Sequence, residues 1–494
     1  MNFVLEEATI DGIHAAFRSG DLTVVELVQG CLARIEAYDR RGPALRAMIT
    51  VNPKALEEAA RLDAQYRAKQ GRVGPLHGIP VILKDNFDTK DMPTSGGSVA
   101  MKDSQPAADA FTVERIRQAG ALILGKANLQ EFARGGVSVS SLGGQVLNPY
   151  DLTRTPGGSS GGTGAAIAAS FAVLGTGSDT GQSIRSPASA CSLVGVRPTR
   201  GLVSRGGVMP NSFTQDEAGP IARTVKDAAL LLDAMVGYDP RDPVTALGMG
   251  KPPRSYAAGL DANALQGARI GLLENLCGAE ARHAKVNRVM EQVMRTMESQ
   301  GATVVRFSLP GFDALAANVS TDRFEARAAF DRYFAGLGPH QPVTSFRQLV
   351  DTKTASPDIQ KTMEAEIAIE DGLADATYRE RMLNRDNLRV LVAAAMADLQ
   401  LDAILYPLQR VLVARAGLAE QPERNGMLSH GTGFPAVTFP GGFSEPSATA
   451  PLGVPIGAEL LALDYSEAKL LSCAYAFEQA ARVRKPPAST PPLY

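Results

Sequence analysis

Two serines set in glycine are the residues of this chain best placed to do chemistry. Ser159 lies in Pro156-Gly157-Gly158-Ser159-Ser160-Gly161-Gly162, and Ser183, 24 residues further on, in Gly177-Ser178-Asp179-Thr180-Gly181-Gln182-Ser183-Ile184-Arg185. Glycine at this density gives up chain entropy and packs nothing. It makes sense where backbone turns tightly and presents N–H groups to a ligand at close range. A serine held in such a loop is a candidate nucleophile. A flexible Gly/Ser linker has a similar composition, but residues 165–169 and 171–174 beside it are apolar and belong in a core.

A nucleophilic serine needs a base, and Lys84 is the candidate. It ends the apolar run Val81-Ile82-Leu83. A lysine there reaches solvent, finds a partner, or loses its charge to burial, and a lysine with a depressed pKa is a competent general base at neutral pH. Histidine offers no rival, because His14, His77, His283, His340 and His430 stand in no recognisable setting. Other templates fit less well. G-x-S-x-G matches twice around Ser159 and Ser160, but no apolar strand precedes it as a nucleophile elbow requires. Ser466-Glu467-Ala468-Lys469 matches S-x-x-K without a following K-T-G, and Ser466 reads as a helix N-cap. Gly175-Thr176-Gly177 follows an apolar run as a phosphate loop would, but lacks the G-K-[ST] ending.

The elements that must hold these residues alternate. Helical spacing predicts helices over 8–18 and 23–38, the second capped by Asp21 or Thr23, and a polar helix over 53–69. Strands are predicted at 81–83, 121–125, 171–174, 268–273 and 303–307, with helices at 111–119, 165–169, 224–236 and 284–299 between them. Residues 311–400 turn helical and charged, an expected insertion or lid. Strands return at 403–405, 436–439 and 453–461, a helix at 466–482 closes the fold, and the proline-rich tail 485–494 is expected to be loosely ordered. This alternation predicts α/β layers around a buried sheet.

Composition narrows the function. The 494 residues carry a formal net charge of −2, which gives no attraction to nucleic acid or to a membrane surface. Cys31, Cys191, Cys277 and Cys473 are too scattered for a disulfide framework or a zinc site, and no H-E-x-x-H or C-x-x-C occurs. The N-terminal run has no basic region followed by an apolar core, so no signal peptide is read there, and no stretch reaches the length of a membrane span. A cytoplasmic protein that needs no cofactor or metal is the expectation.

Lys84, the 156–162 run and Gly181-Gln182-Ser183-Ile184-Arg185-Ser186-Pro187-Ala188 together resemble the amidase signature family. The resemblance continues through Val194-Gly195-Val196-Arg197-Pro198-Thr199, Gly201-Leu202-Val203-Ser204 and Gln215-Asp216-Glu217-Ala218-Gly219-Pro220, and runs more weakly over 8–240 and 430–480. It implies one α/β/α sandwich around a large mixed sheet, spanning 1–494, with a catalytic core at about 70–240 completed by 401–483. It also implies Ser183 as nucleophile, Ser159 as a bridging serine on a cis peptide bond, and Lys84 as base. The backbone N–H groups of Thr180, Gly181, Gln182 and Ser183 would form an oxyanion hole. Ser160, Asp179 and Arg185 resemble the family's supporting polar shell, although loop hydrogen bonding would explain them equally. Gln182 departs from the family, which most often has glycine there.

The expected activity is hydrolysis of a small-molecule carboxamide or secondary amide, by a chain that acts alone or as a homodimer. Two rivals remain: an amidotransferase component that releases ammonia from glutamine for partner subunits, and a silent binding protein on the same fold.

Overall fold

The strand Pro80–Lys84 lies inside an 11-stranded sheet, with the parallel strands Leu122–Ala127 and Leu174–Asp179 on its two sides. All five of its residues are buried, as an unbroken apolar run covered on both faces should be. Its proline stands at the first position, where the missing N–H does least harm to the ladder. The structure is a computed structural model describing residues 3–338 and 341–493; Met1, Asn2, Pro339, His340 and Tyr494 fall outside them.

From one edge the sheet runs Met48–Val51, Leu122–Ala127, Pro80–Lys84, Leu174–Asp179, Glu217–Ala222 and Val194–Arg197. It continues through Ala436–Phe443, Pro455–Leu461, Ala403–Pro407 and Arg269–Leu273 to Thr303–Phe307 at the other edge. The edge strand Met48–Val51 is antiparallel to its neighbour, parallel pairs flank Pro80–Lys84 and Arg269–Leu273, and a block of antiparallel pairs lies between them. With its flanking helices this is the α/β sandwich around a mixed sheet that the family resemblance implies.

The helices form where their periodicity and caps place them. Val24–Arg34 starts at Thr23, whose Oγ1 accepts from Glu26 N at 3.1 Å while Thr23 N donates to Glu26 Oε2 at 2.8 Å. This is a reciprocal capping box, and Val24, Leu27, Val28 and Cys31 turn into the core. Glu467–Ala481 begins after Ser466 as expected, but the Ser466 side chain makes no capping bond. Between Thr303–Phe307 and Ala403–Pro407 the described chain is helical, the longest piece being Ala376–Asp398.

Three differences from the sequence reading have clear causes. The strand expected at 171–174 begins at its last residue and runs through the glycine-rich Leu174–Asp179, while Phe171 is buried in the preceding turn. The glycines are there for closeness: a Cβ on Gly175 would sit 2.4 Å from Thr163 Cγ2, and one on Gly177 would sit 3.0 Å from Ser160 Oγ. The helix expected at 165–169 likewise starts earlier, as Gly161–Ala168, because Gly162 lies where a Cβ would meet Asn128 O at 2.1 Å. The described part of the C-terminal tail is pinned rather than loose. The buried Arg34 needs acceptors, and Thr490 O takes its Nη2 at 2.8 Å and Pro491 O its Nη1 at 3.0 Å. Tyr38 Oη and Tyr150 Oη donate to Pro491 O and Lys485 O at 2.7 and 2.6 Å. Three strands of the large sheet, Met48–Val51, Val194–Arg197 and Glu217–Ala222, escaped the sequence reading, being short or interrupted by glycine and proline.

Candidate active site

Lys84 leaves its strand into a fully buried polar cluster. Its Nζ lies 2.7 Å from Ser159 Oγ, 2.8 Å from Ser178 Oγ and 3.2 Å from Ser178 O. Asn86, two residues on, donates from Nδ2 to the same Ser178 Oγ at 2.9 Å. Burial disfavours the ammonium and pushes the lysine pKa down to about 7, against the opposing pull of the Asp179 and Asp216 carboxylates.

The 157–162 turn holds Ser159 against this lysine. Gly157 adopts φ +75°, a left-handed conformation, and a Cβ there would lie 2.8 Å from Ser186 O, so glycine is required on both counts. The Gly158–Ser159 peptide bond is cis. Ser138 Oγ donates to Gly157 O at 2.8 Å and Gln130 N to Ser159 O at 2.9 Å, while Ser160 N donates to Ser183 O at 3.2 Å. The last bond ties the two serine loops together.

The second loop is shaped by buried charge. Asp179 accepts from Arg185 Nε at 3.0 Å, Arg197 Nη1 at 2.9 Å and Ile184 N at 3.0 Å, and these partners hold its carboxyl well below the usual range despite burial. Arg185 also pairs with Glu459 at 2.7 Å and donates from Nη2 to Gly181 O at 2.6 Å. That bond turns the Gly181 carbonyl away and steadies the loop. The N–H groups of Thr180, Gly181, Gln182 and Ser183 donate to nothing among the described residues. Replacing Asp179 would leave two buried guanidinium groups short of a partner. We expect Asp179→Ala to destabilise the fold by about 3–5 kcal/mol, read as a lower midpoint in urea, with Asp179→Asn milder than Asp179→Ala.

Ser183 opens onto a cavity of about 940 Å³, which Gln182, Arg134 and His430 also line. Ser159, Ser160 and Lys84 are sealed, with no exposed surface, whereas Ser183 keeps 7%. The structure therefore brings Lys84 and Ser159 into contact, and seats Ser160 between the two loops. The Ser183 hydroxyl makes no hydrogen bond to Ser159. Gln182 is pressed by Gly426, where a Cβ would come within 2.4 Å of Gly181 O and 2.6 Å of Gln182 Cβ. Neither end of the Gln182 amide finds a partner among the described residues.

A family model described as Amidase matches residues 26–471. The chain belongs to the amidase signature family. It is 38% identical to the native peptide amidase of Stenotrophomonas maltophilia, whose crystal structure superposes with a TM-score of 0.87 over 97% of this chain and 98% of that one. It is also 36% identical to a glutamyl-tRNA(Gln) amidotransferase component from Alkaliphilus metalliredigens, over 96% of each chain. A probable amidase of Arabidopsis thaliana is 34% identical, over 98% of this chain and 92% of its own.

Several residues of this amidase signature site escaped the sequence reading. Ser178 and Arg197 lay inside stretches already singled out, and only their partners were missing. Glu459 and His430 come from distant segments that carry no local signal. His283, by contrast, sits away from the serines, 2.6 Å from Glu423, and His77 faces Leu62 O. No helix among the described residues is long and apolar enough to cross a membrane.

Proposed function

We propose that this protein is an amide hydrolase with Ser183 as nucleophile, Ser159 as proton relay and Lys84 as base. One observation carries the reading: a fully buried lysine with a pKa of about 7, its Nζ 2.7 Å from Ser159 Oγ. A neutral amine has two N–H bonds and one lone pair. Ser178 O can only accept, and Ser178 Oγ is within reach of the second N–H. The lone pair is then left for the Ser159 hydroxyl.

Ser159 gives its proton to Lys84 as it takes one from Ser183, and Ser183 Oγ forms a bond to the substrate carbonyl carbon. The carbonyl electron pair moves to oxygen, which the free N–H groups of residues 180–183 stabilise. The C–N bond then breaks as the proton returns from Lys84 through Ser159 to the leaving nitrogen. Water attacks the acyl-enzyme by the same relay and releases a carboxylate. The relay needs a Ser183-to-Ser159 hydrogen bond that the geometry here does not make; such bonds commonly tighten only once substrate is seated.

The cavity volume stands near the upper end of the range for small-molecule sites, which suits an extended acyl group with a terminal carboxamide. The Stenotrophomonas relative, a peptide amidase, supports the same direction. Helices between 311 and 400 supply one wall of the cavity, including Asp358 and Lys361, and act as its cover, while residues 70–240 carry the reacting groups and 401–483 complete the core with Glu459 and His430 beside them. The second reading, a glutamine-hydrolysing component of a larger complex, is favoured by the 36% identity to the Alkaliphilus amidotransferase chain. A panel of amides and esters, incubated with the isolated chain and followed by mass measurement of a trapped acyl-enzyme, tests both. Turnover of simple amides without partners supports the hydrolase, glutamine turnover only with added subunits supports the alternative, and no acyl adduct under either condition leaves a silent binding protein.

Gln182 acts as a specificity element in this reading, since it lines the cavity and braces nothing through hydrogen bonds. Gln182→Gly keeps every backbone donor, so it should hydrolyse simple amides within roughly tenfold of the parent while its preference moves towards bulkier acyl groups. A uniform fall across all substrates with a lower melting temperature would make Gln182 structural instead.

A further inference from the structure

His430 stands in the cavity with its protonation pattern determined by neighbours. Thr321 donates to Gln215 Oε1 through both its backbone N–H and its hydroxyl, the latter at 2.7 Å. A backbone N–H can only donate, so the end of the Gln215 amide that faces Thr321 is the oxygen. The opposite end, Nε2, therefore donates, and it does so to Thr180 O and to His430 Nδ1, each at 3.2 Å. An imidazole that accepts at Nδ1 and is neutral carries its proton on Nε2. Burial first, and then the nearby guanidinium groups of Arg385, Arg197 and Arg185, hold the ring pKa well below its ordinary value, against the weaker pull of Asp179. Nε2 makes no hydrogen bond with any described residue, and the ring lines the same cavity as Ser183.

We propose that His430 is a substrate-recognition residue whose Nε2–H binds a neutral acceptor oxygen, a carbonyl or hydroxyl, on the acyl group of the amide. This rests on the hydrolase reading above. If a primary carboxamide departs as ammonia, the acyl group is what fills a cavity of about 940 Å³, and His430 meets that group. A neutral N–H donor suits a neutral oxygen, and the acidic and basic side chains lining the cavity number four of each, so the lining carries no net charge that calls for a carboxylate. The same Gln215 amide steadies Thr180 O, so the recognition donor and the loop carrying Ser183 are braced by one side chain.

Two measurements test this. In the uniformly ¹⁵N-labelled parent chain, His430 should show a protonated, pyrrole-type Nε2 and a bare, pyridine-type Nδ1 at neutral pH. Assignment is tractable with five histidines. Kinetically, N-acetylglycinamide and N-acetyl-β-alaninamide are compared with the chain-matched alkanamides pentanamide and hexanamide, which lack the acetyl oxygen. The parent should prefer at least one acetylated amide by about tenfold in kcat/KM, mostly through KM, and His430→Phe should bring that ratio close to one. A proton on Nδ1 in the parent would overturn the inference, as would a ratio unchanged in His430→Phe while the amides are still hydrolysed. Failure of the parent to hydrolyse any of the four amides overturns the hydrolase reading and this inference with it.

Discussion

Ser183→Ala is expected to lower kcat by about 10⁴-fold or more, the scale lost when a serine nucleophile is removed from a hydrolase, and to leave the fold intact. The second half of that expectation comes from the hydrogen-bond pattern. The Ser183 hydroxyl has no partner in Ser159, so its removal orphans nothing in the buried cluster. A melting temperature close to the parent's would then assign the lost activity to chemistry. A fluorophosphonate should label the peptide that contains Ser183, because Ser183 alone among Ser159, Ser160 and Ser183 has exposed surface and lines the cavity. Labelling confined to Ser159 or Ser160, or an alanine variant that keeps a tenth of the activity, would remove Ser183 from the nucleophile's place.

Lys84→Met should cost about 10³-fold or more in kcat, near the upper part of the range for general acid–base catalysis, and should change how stability responds to pH. In the parent, kcat/KM should rise through about pH 7 as Lys84 loses its proton. His77→Ala and His430→Ala should both retain that limb; its loss in either would displace the lysine as base. The stability effect has a definite sign. Lys84 has a folded pKa of about 7 against an ordinary value of 10.5. Between those two pH values the unfolded chain holds a proton on this lysine that the folded chain does not. Stability of the parent therefore rises with pH across that window relative to Lys84→Met, and falls as pH is lowered through it. Below about pH 7 both states are protonated and above 10.5 neither is, so the difference between the two proteins should level off at each end. Because every other group is common to both, thermal melts of the pair at several pH values isolate this lysine. A difference that stays flat from about pH 7 to 10.5 would mean that the folded lysine is charged.

Much of the fold was legible because its signals are local. The apolar run at 81–83, the periodic face of Val24–Arg34 and the Thr23–Glu26 capping pair each act over a few residues and need no distant partner. The serine loops were legible for the same reason. A dense run of glycines records a demand for close approach, and the structure supplies the neighbours that make the demand: Thr163 against Gly175, Ser160 against Gly177 and Asn128 O against Gly162. What misled the reading was also local. The strand Leu174–Asp179 lacks strand-like residues, because its glycines are there to let a helix lie close to the ladder.

The tertiary structure decided the rest. Sequence named Lys84, but nothing in the chain around it says that Ser178, itself held by Asn86, will lie against its nitrogen beside Ser159. Glu459 and His430 are far from Ser183 along the chain, and they arrive only because strands Val194–Arg197, Ala436–Phe443 and Pro455–Leu461 are neighbours in one sheet. Gln182 could be recognised from sequence as a departure from glycine. Whether its amide would brace the loop or remain unpartnered beside a cavity depended on the position of Gly426 across the site. Helices, strands and tight turns are short-range answers to short-range physics. The burial of a charge and the partners left to a proton are properties of everything packed around it, and a single chain read in order does not contain them.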